Sequence, residues 1–256
     1  MTPPQDGYRA FHAPRYRYLL KVVERHLPAG NNGVLDVGLS PFTEILRPKL
    51  GRPIDTLGLE PRGREPFSIS AYGHDQEPKL KKAPDPQSRH FQFDLDALGD
   101  PRAPRPALPR YGVIVFAEVI EHLHTSPLLS LVFFREHLMD GGILVVQTPN
   151  AASLGKRVKL LAGMNPYEMI REDRSNPGHF REYTARELRR LAARAGFVVV
   201  NLDRQFYFDA RHADHAEDGG AGASRPLIGA LKNVVYPLLP PFLREGITLV
   251  LRKEAL

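Results

Sequence analysis

Three side chains that follow an apolar run near the middle of the chain could bind a metal ion or move a proton. Glu118, Glu121 and His122 are spaced at i, i+3 and i+4, which would place them on one face of a helix. Two carboxylates and an imidazole can hold Mg²⁺ or another divalent metal, and His122 alone could act as a general base. Acidic residues in a first helical turn also stabilise the helix dipole without binding anything. The pattern therefore leaves three roles open: metal ligand, general base and structural residue.

Acidic residues also stand at the ends of three successive apolar segments. Asp36 and Gly38 lie in VLDVG, Glu60 follows LGL, and Asp94 follows FQF. Glu60 comes 22 residues after Gly38, a place where an acid can accept hydrogen bonds from the hydroxyls of a ribose. Asp94 could accept a hydrogen bond from an adenine amino group. Each acid alone is a weak signal, and together they predict an adenosine-binding crevice.

Apolar runs separated by turn residues predict the elements that position these side chains. The predicted strands cover residues 34–38, 54–59, 91–95, 111–117, 143–148, 197–202 and 247–252. The predicted helices cover residues 14–27, 42–50, 119–123, 128–138 and 184–195. Strands that alternate with helices predict an α/β fold with a Rossmann-like, doubly wound, mainly parallel sheet. Such sheets bind ligands beyond the carboxyl ends of their strands, where all the acids above are expected.

The composition bounds the organisation and excludes several chemistries. The 256 residues fit a single domain, with a loose N-terminal arm at 1–13 and an insertion or lid at 205–246 before the last strand. Cysteine is absent, which excludes thiolate nucleophiles, zinc–cysteine sites and iron–sulfur clusters. With no secretion signal and no 18-residue apolar run in the sequence, we expect a cytoplasmic protein. The net charge of +6 allows a nucleic-acid partner without favouring one.

Six segments, taken in order along the chain, resemble the motifs of class I S-adenosylmethionine-dependent methyltransferases. They read VLDVG, LGLEP, FQFDLDAL, YGVIVFAEVIEHL, GGILVVQTPN and HFREYTARELRRLAARAGFVVV, so the likeness covers about residues 14–204 and the last strand. The EVIEHL and TPN elements are typical of sugar or polysaccharide, ubiquinone-type and small-RNA 2′-O-methyltransferases. The resemblance implies a seven-stranded sheet with an antiparallel last strand. One departure is that Ser40 and Phe42 stand where the family has the second and third glycines of its first turn.

The resemblance also implies a cofactor and a set of site residues. It implies that S-adenosylmethionine contacts Asp36, Gly38, Leu39, Ser40, Glu60, Asp94, Leu95 and Glu118. The family residues that match Glu118, Glu121 and His122 hold a divalent metal, and the small-RNA enzymes add a histidine that matches His179 in NPGHFREYT. The expected metal is Mg²⁺ or another divalent ion. His122, Glu121 and His179 are therefore the candidate catalytic residues.

The resemblance indicates an oxygen acceptor. Amino-group methylases of nucleic-acid bases carry an Asp/Asn-Pro-Pro-aromatic run after the fourth strand, whereas this chain has AEVI there. We expect a sugar hydroxyl of a glycan or glycosylated small molecule, with Arg181 and Tyr183 near it and His124 as a spare metal ligand. One alternative is a non-catalytic, methyltransferase-like binding protein with an altered first turn. Another is an RNA ribose 2′-O-methyltransferase with a basic stripe made of Arg102, Arg105, Arg110, Lys156, Arg157 and Lys159.

A strongly apolar segment precedes the last predicted strand. Residues 226–243, PLIGALKNVVYPLLPPFL, carry Lys232 as their only full charge and are too short to span a bilayer. Three interpretations stay open: a lid packed on the sheet, a contact with a membrane surface or lipid-linked acceptor, and a dimer contact. In the second case the protein would lie at the inner face of the membrane. The sequence does not predict the oligomeric state.

Overall fold

The computed structural model describes residues 3–27, 33–38, 40–59, 88–171, 178–215 and 226–255. Leu39 and Glu60, two of the expected cofactor contacts, lie outside the described residues. None of the described helices is both long enough and apolar enough to cross a membrane.

Within the described ranges, seven strands form one sheet. The strands are β1 (Val34–Val37), β2 (Ile54–Gly58), β3 (His90–Gln92), β4 (Tyr111–Ala117), β5 (Leu138–Pro149), β6 (Phe197–Gln205) and β7 (Gly246–Lys253). Their order across the sheet is β3-β2-β1-β4-β5-β7-β6. β1 to β5 pair in parallel, and β7 is antiparallel to both β5 and β6. The expected Rossmann-like sheet with an antiparallel last strand is confirmed.

The described helices are α1 (Pro3–His26), α2 (Pro41–Leu50), α3 (Pro127–Glu136), α4 (Leu154–Leu161), α5 (Ala185–Arg194) and α6 (Pro226–Val235). Four of them, α1, α2, α3 and α5, pack on the two faces of the sheet. Alternate residues of a strand face opposite sides, so Leu35 packs with Phe134 of α3, whereas Val34 packs with Leu19 of α1. Because the central strands are buried on both faces, they read as continuous apolar runs, which is why the sequence locates them.

The first helix is longer than the sequence predicts. A loose arm was expected at 1–13, but these residues belong to the same helix from Pro3 on, and Pro14 lies inside it. A proline inside a helix removes one backbone N–H, and contacts with a distant segment hold the turns before it. The ring of Phe11 stacks on that of Phe208 with centroids 4.8 Å apart, and the Phe11 carbonyl accepts from the Asp209 N–H at 2.8 Å. Such long-range contacts cannot be seen in a local pattern.

The segment after β4 does not form the helix expected over 119–123. A short 3-10 turn, Ile120–His122, takes its place, and Glu118 has a φ of +55°, outside the right-handed helical region. The expectation that Glu118, Glu121 and His122 share one helical face is therefore wrong.

The segment 205–246, expected to be an insertion, packs against the end of β5. It contains a 3-10 turn at Ala210–His215 and α6. α6 approaches that turn through Gly229, where a Cβ would lie 2.4 Å from the Ala210 carbonyl oxygen. Asn150, which follows β5, donates from Nδ2 to the Arg244 carbonyl at 2.8 Å. These contacts fix the segment beside the carboxyl end of β5.

Candidate active site

A cavity of about 950 Å³ opens at the carboxyl ends of β1, β4 and β5. This is the edge at which parallel α/β sheets bind ligands, and the volume lies within the roughly 300–1,000 Å³ typical of small-molecule sites. One side of the cavity contains Asp36, Gly38 and Ser40, from the first strand and turn. The other side contains Glu121 and His122, from the turn after β4. The structure thus brings the described cofactor residues after β1 and the expected catalytic residues to one cavity.

The turn after β1 requires glycine at its first position. Gly38 has a φ of +84°, and a Cβ there would lie 2.8 Å from Cγ2 of Val119. Its N–H donates to the Leu57 carbonyl at 2.8 Å, which fixes the turn to β2. The positive φ and the contact with Val119 together explain why this position needs glycine.

The first amides of α2 are hydrogen-bonded within its own N-terminal turn. The Ser40 Oγ accepts from the Phe42 N–H at 3.2 Å, and the Ser40 carbonyl accepts from the Thr43 N–H at 3.1 Å. Pro41 has no N–H. This side of the cavity therefore presents the small residues Gly38 and Ser40.

Phe42, which stands at a family glycine position, is accommodated by α1. Its ring is buried and stacks on that of Tyr16 with centroids 5.8 Å apart. The bulk of the side chain is therefore taken up between α1 and α2.

Asp36 is a buried carboxylate beneath the turn. It is 2% exposed, and its Oδ2 accepts a hydrogen bond from the Thr43 hydroxyl at 2.6 Å. Burial raises the pKa of Asp36 to about 7, while the Thr43 hydrogen bond and the charge of Arg47 oppose part of that rise. Asp36 thus holds β1 to α2 at the edge of the cavity.

α1 contributes a wall that the sequence interpretation missed. His12, Arg15 and Tyr16 line the cavity, and Arg15 Nη1 lies 3.1 Å from Glu118 Oε2. Burial, with the nearby Arg15 charge, lowers the pKa of His12 to about 2, so this ring is neutral at physiological pH. These three side chains could have been found in the sequence from their i, i+3, i+4 spacing, which places them on one face of a helix.

Glu121, His122 and His179 form a compact cluster on the cavity wall. One ligand atom from each lies within 4.8 Å of the other two. Glu121 Oε2 accepts from the Thr148 hydroxyl at 2.9 Å, while the buried Oε1 has no hydrogen-bond partner among the described residues. Burial first, and the nearby Glu118 second, raise the pKa of Glu121 well above its ordinary value. A buried polar oxygen without a partner is costly, and a bound cation would relieve that cost.

Outer partners orient both histidines of this cluster. His122 Nδ1 lies 2.9 Å from the Gly178 carbonyl oxygen. A carbonyl oxygen can only accept, so Nδ1 donates and the lone pair of the neutral ring lies on Nε2. His179 Nδ1 lies 3.3 Å from Glu182 Oε1, which gives the same orientation. Metal-binding histidines in proteins are held by such partners.

Two other expected ligands lie apart from the cluster. Glu118 lines the cavity but is outside the group of three, and its Oε2 lies 3.1 Å from Arg15 Nη1. The metal-ligand expectation for Glu118 thus has no support in the geometry. His124, the spare ligand, instead lies 3.0 Å from Asp96 and packs its ring against Phe180.

Several expected contacts do not line this cavity in the part of the chain that the structure describes. Asp94 caps a 3-10 turn by accepting from the Asp96 N–H at 3.0 Å, and Leu95 packs into the core. Their proposed contacts with the cofactor stay predictions. Arg181 and Tyr183 line a second cavity of about 630 Å³ beside α3 and α5, and neither lines the first cavity.

Members of the expected basic stripe lie at opposite edges of the sheet. Arg110 directly precedes β4 and lies at its amino end, while Arg102 and Arg105 belong to the connection that leads there from the 3-10 turn at Leu95–Gly99. Lys156 and Lys159 line the cavity at the carboxyl edge, and a strand of this length separates the two edges by about 20 Å. Arg110 therefore does not join Lys156 and Lys159 in one continuous stripe.

Comparison with known proteins adds a family and a set of similar folds. Residues 12–202 match the family model described as a methyltransferase domain. No curated protein sequence matches the chain.

Three solved structures resemble it. The [4+2]-cyclase SpnF is 17% identical, with a TM-score of 0.58 over 95% of this chain and 82% of that chain. A Bacillus halodurans C-125 protein assigned as a methyltransferase is 16% identical, with a TM-score of 0.57 over 93% and 99%. The Burkholderia thailandensis 1,6-didemethyltoxoflavin-N1-methyltransferase, solved with 1,6-didemethyltoxoflavin and S-adenosylhomocysteine, is 13% identical, with a TM-score of 0.51 over 98% and 87%.

At these identities the solved structures show the fold alone, and they include both a cyclase and a nitrogen methyltransferase. The reaction and the acceptor must therefore be argued from the site. The family match covers most of the chain, which confirms the expected resemblance at the level of the family, while the narrower subgroup stays a prediction. The chain belongs to the methyltransferase domain family.

Proposed function

We propose that the protein is an S-adenosylmethionine-dependent O-methyltransferase that acts on a sugar hydroxyl of a glycan or glycosylated small molecule. The observation that carries this proposal is the single cavity shared by the turn after β1 and the cluster of Glu121, His122 and His179. A methyl donor held over the turn would have its reactive end beside groups that can activate a hydroxyl. Family membership supports the methyl donor.

The residues after β1 fit S-adenosylmethionine. Gly38 and Ser40 leave room for its methionine portion, and the cofactor has no pyrophosphate that would need the bonded amides of α2. When bound, it supplies a methyl group on a sulfonium whose leaving group is a neutral thioether. Glu118, paired with Arg15, places a carboxylate near that positive charge. The remaining proposed contacts are Asp36 beneath the turn, Leu39 within it, Glu60 with the ribose, Asp94 with the adenine amino group, and Leu95 beside Asp94.

An oxygen acceptor must lose its proton during methylation, and the cluster is suited to that task. Glu121, His122 and His179 fit a divalent cation. Glu121 Oε1 is buried without a hydrogen-bond partner among the described residues, and a hydrogen bond at Nδ1 of each imidazole fixes the orientation of its ring. A cation held there would lower the pKa of the acceptor hydroxyl. Without Glu118 the donors are two imidazoles and one carboxylate, which suit Zn²⁺ or Fe²⁺ better than Mg²⁺. Among the divalent metals expected from the sequence, we therefore propose a transition metal rather than Mg²⁺.

The outer half of the cavity supports a polyhydroxylated acceptor. Lys159, Asn165 and Glu168 line it, and such side chains can hydrogen-bond sugar hydroxyls. The RNA alternative needs a continuous basic stripe, which the separation of Arg110 from Lys156 and Lys159 on opposite edges of the sheet disfavours. The non-catalytic alternative arose from the altered first turn, and the packing of Phe42 on Tyr16 accommodates that change.

Transfer of a labelled methyl group from S-adenosylmethionine to a panel of glycosides and amines tests the proposal. We expect glycosides to be labelled, EDTA to stop the reaction, and Zn²⁺ or another transition metal to restore it. His122→Ala should lower turnover about 100-fold or more. His124→Ala is the matched control and should keep full turnover, because this nearby histidine lies outside the cavity.

Two outcomes would contradict parts of the proposal. Labelling of amines alone would refute the oxygen acceptor. Full activity in EDTA would refute the metal and leave His122 Nε2 as the general base.

A further inference from the structure

Exposed apolar side chains are concentrated around the opening of the cavity. Among the described residues, twelve of the seventeen large apolar side chains that are exposed lie within residues 158–170 or 231–242. Leu161 is 88% exposed and Leu238 is 79% exposed. Soluble surfaces rarely gather so many apolar groups without a partner. We name the exposed apolar side chains of these two segments the mouth patch.

The two segments of the mouth patch meet at the cavity. The Arg157 guanidinium lies 5.9 Å from the centroid of the Phe242 ring, joining α4 to the segment after α6. Lys159 and Lys232, one from each segment, line the same cavity. The patch is therefore one surface that surrounds the opening rather than two separate ones.

The charge of these segments indicates what covers them. Residues 154–171 and 226–244 together contain six Lys or Arg residues and one acidic residue, Glu168, which pairs with Arg171 at 3.0 Å. They thus carry a net charge of +5 out of the +6 of the whole chain. Apolar side chains flanked by cations are typical of segments that lie in the headgroup region of anionic membranes. A second copy of the chain would present the same positive surface and be repelled.

We propose that the mouth patch docks on the surface of an anionic lipid bilayer. Leu161 and Leu238 enter the headgroup boundary, and Arg157, Lys159 and Lys232 contact the anionic headgroups. In this orientation the cavity opens towards the membrane. The docking does not depend on the proposed methyl transfer, because it rests on exposure and charge alone.

Flotation of the full chain with vesicles tests this proposal. We expect binding to phosphatidylcholine vesicles that contain about one third phosphatidylglycerol, weaker binding at high salt, and little binding to phosphatidylcholine alone. The double variant Leu161→Glu/Leu238→Glu should lower the bound-to-free ratio at least about tenfold. Both side chains are already exposed, so the variant should remain folded.

A matched control variant is Val132→Glu/Val198→Glu, which changes exposed apolar residues outside the patch and should keep wild-type vesicle binding. Failure to float with anionic vesicles would overturn the proposal, as would binding that the Leu161/Leu238 variant does not weaken. Equal binding to neutral and anionic vesicles would overturn the proposed requirement for anionic lipid. If the chain does not bind vesicles but forms a dimer in light scattering, and the Leu161/Leu238 variant abolishes that dimer, the patch would instead bind a second copy of the chain.

Discussion

Replacing Asp36 with Asn should remove a pH-dependent cost of folding. Burial raises the pKa of Asp36 from its ordinary value of 3.8 to about 7. A carboxyl whose pKa is raised in the fold favours the protonated folded state, so the wild type loses stability as the pH rises from about 4 through 7. Asn has nearly the same shape, keeps an oxygen for the Thr43 hydroxyl and never ionises. The variant should therefore lack this loss.

The size of the effect follows from the pKa change. One pKa unit corresponds to about 1.4 kcal/mol, so the gap in free energy of unfolding between Asp36→Asn and the wild type should widen by about 4 kcal/mol between pH 4 and pH 8. For a chain of this size the gap at pH 8 corresponds to roughly 10 °C in Tm. Any constant effect of the amide cancels, because only the change of the gap with pH is compared.

Urea denaturation followed by far-UV circular dichroism at several pH values measures the gap. Asp100→Asn is the matched control, because the Asp100 side chain is 52% exposed and the substitution removes no buried charge. The widening of about 4 kcal/mol should be absent for this variant. If the Asp36→Asn gap is also constant from pH 4 to pH 8, burial does not penalise the Asp36 carboxylate and the reasoning is refuted.

Two further predictions concern the walls of the cavity. Gly38→Ala should destabilise the fold more than Gly51→Ala in urea and weaken cofactor affinity in calorimetry. Both positions have a positive φ, which costs about 1–2 kcal/mol for Ala. Of these two glycines, only Gly38 would bring its Cβ against a neighbour, Val119. Equal losses of stability in the two variants would contradict this contact. Burial lowers the pKa of His12 to about 2, so the ring stays neutral in the folded protein between pH 7 and pH 5. In the unfolded chain the same ring is protonated below about pH 6.5. The free energy of unfolding should therefore fall from pH 7 to pH 5. His12→Asn should reduce that fall, and an unchanged pH profile would count against a neutral buried ring.

Local patterns predicted most of the fold because its elements are built from strong local signals. β4 has the expected bounds, since a strand buried on both faces is a continuous apolar run. The helix expected over 184–195 is α5, and both hydrogen bonds of its Thr184–Glu187 capping box are present. β3 ends at Gln92, earlier than expected, because Asp94 caps the following 3-10 turn.

The sequence predicted the site residues that follow strand ends, and it did not predict those whose positions depend on contacts with distant parts of the chain. Gly38, Glu121 and His122 meet at one cavity because the carboxyl ends of parallel strands share an edge. Glu118 lines the same cavity but lies outside the cluster of Glu121, His122 and His179, and its ion pair with Arg15, far away in the sequence, is not visible in a local pattern. The wall formed by α1 was missed for the same reason, since distant contacts of Phe11 hold the helix there.

A crystal structure with S-adenosylhomocysteine, collected with anomalous scattering from a transition metal, tests most directly whether one cavity holds both the cofactor and the activating cluster. We expect the ligand over Gly38 with its sulfur facing His122, and an anomalous peak between Glu121, His122 and His179. A ligand bound outside this cavity, or bound with its sulfur turned away from His122, would show that the cofactor and the cluster do not work together in one cavity.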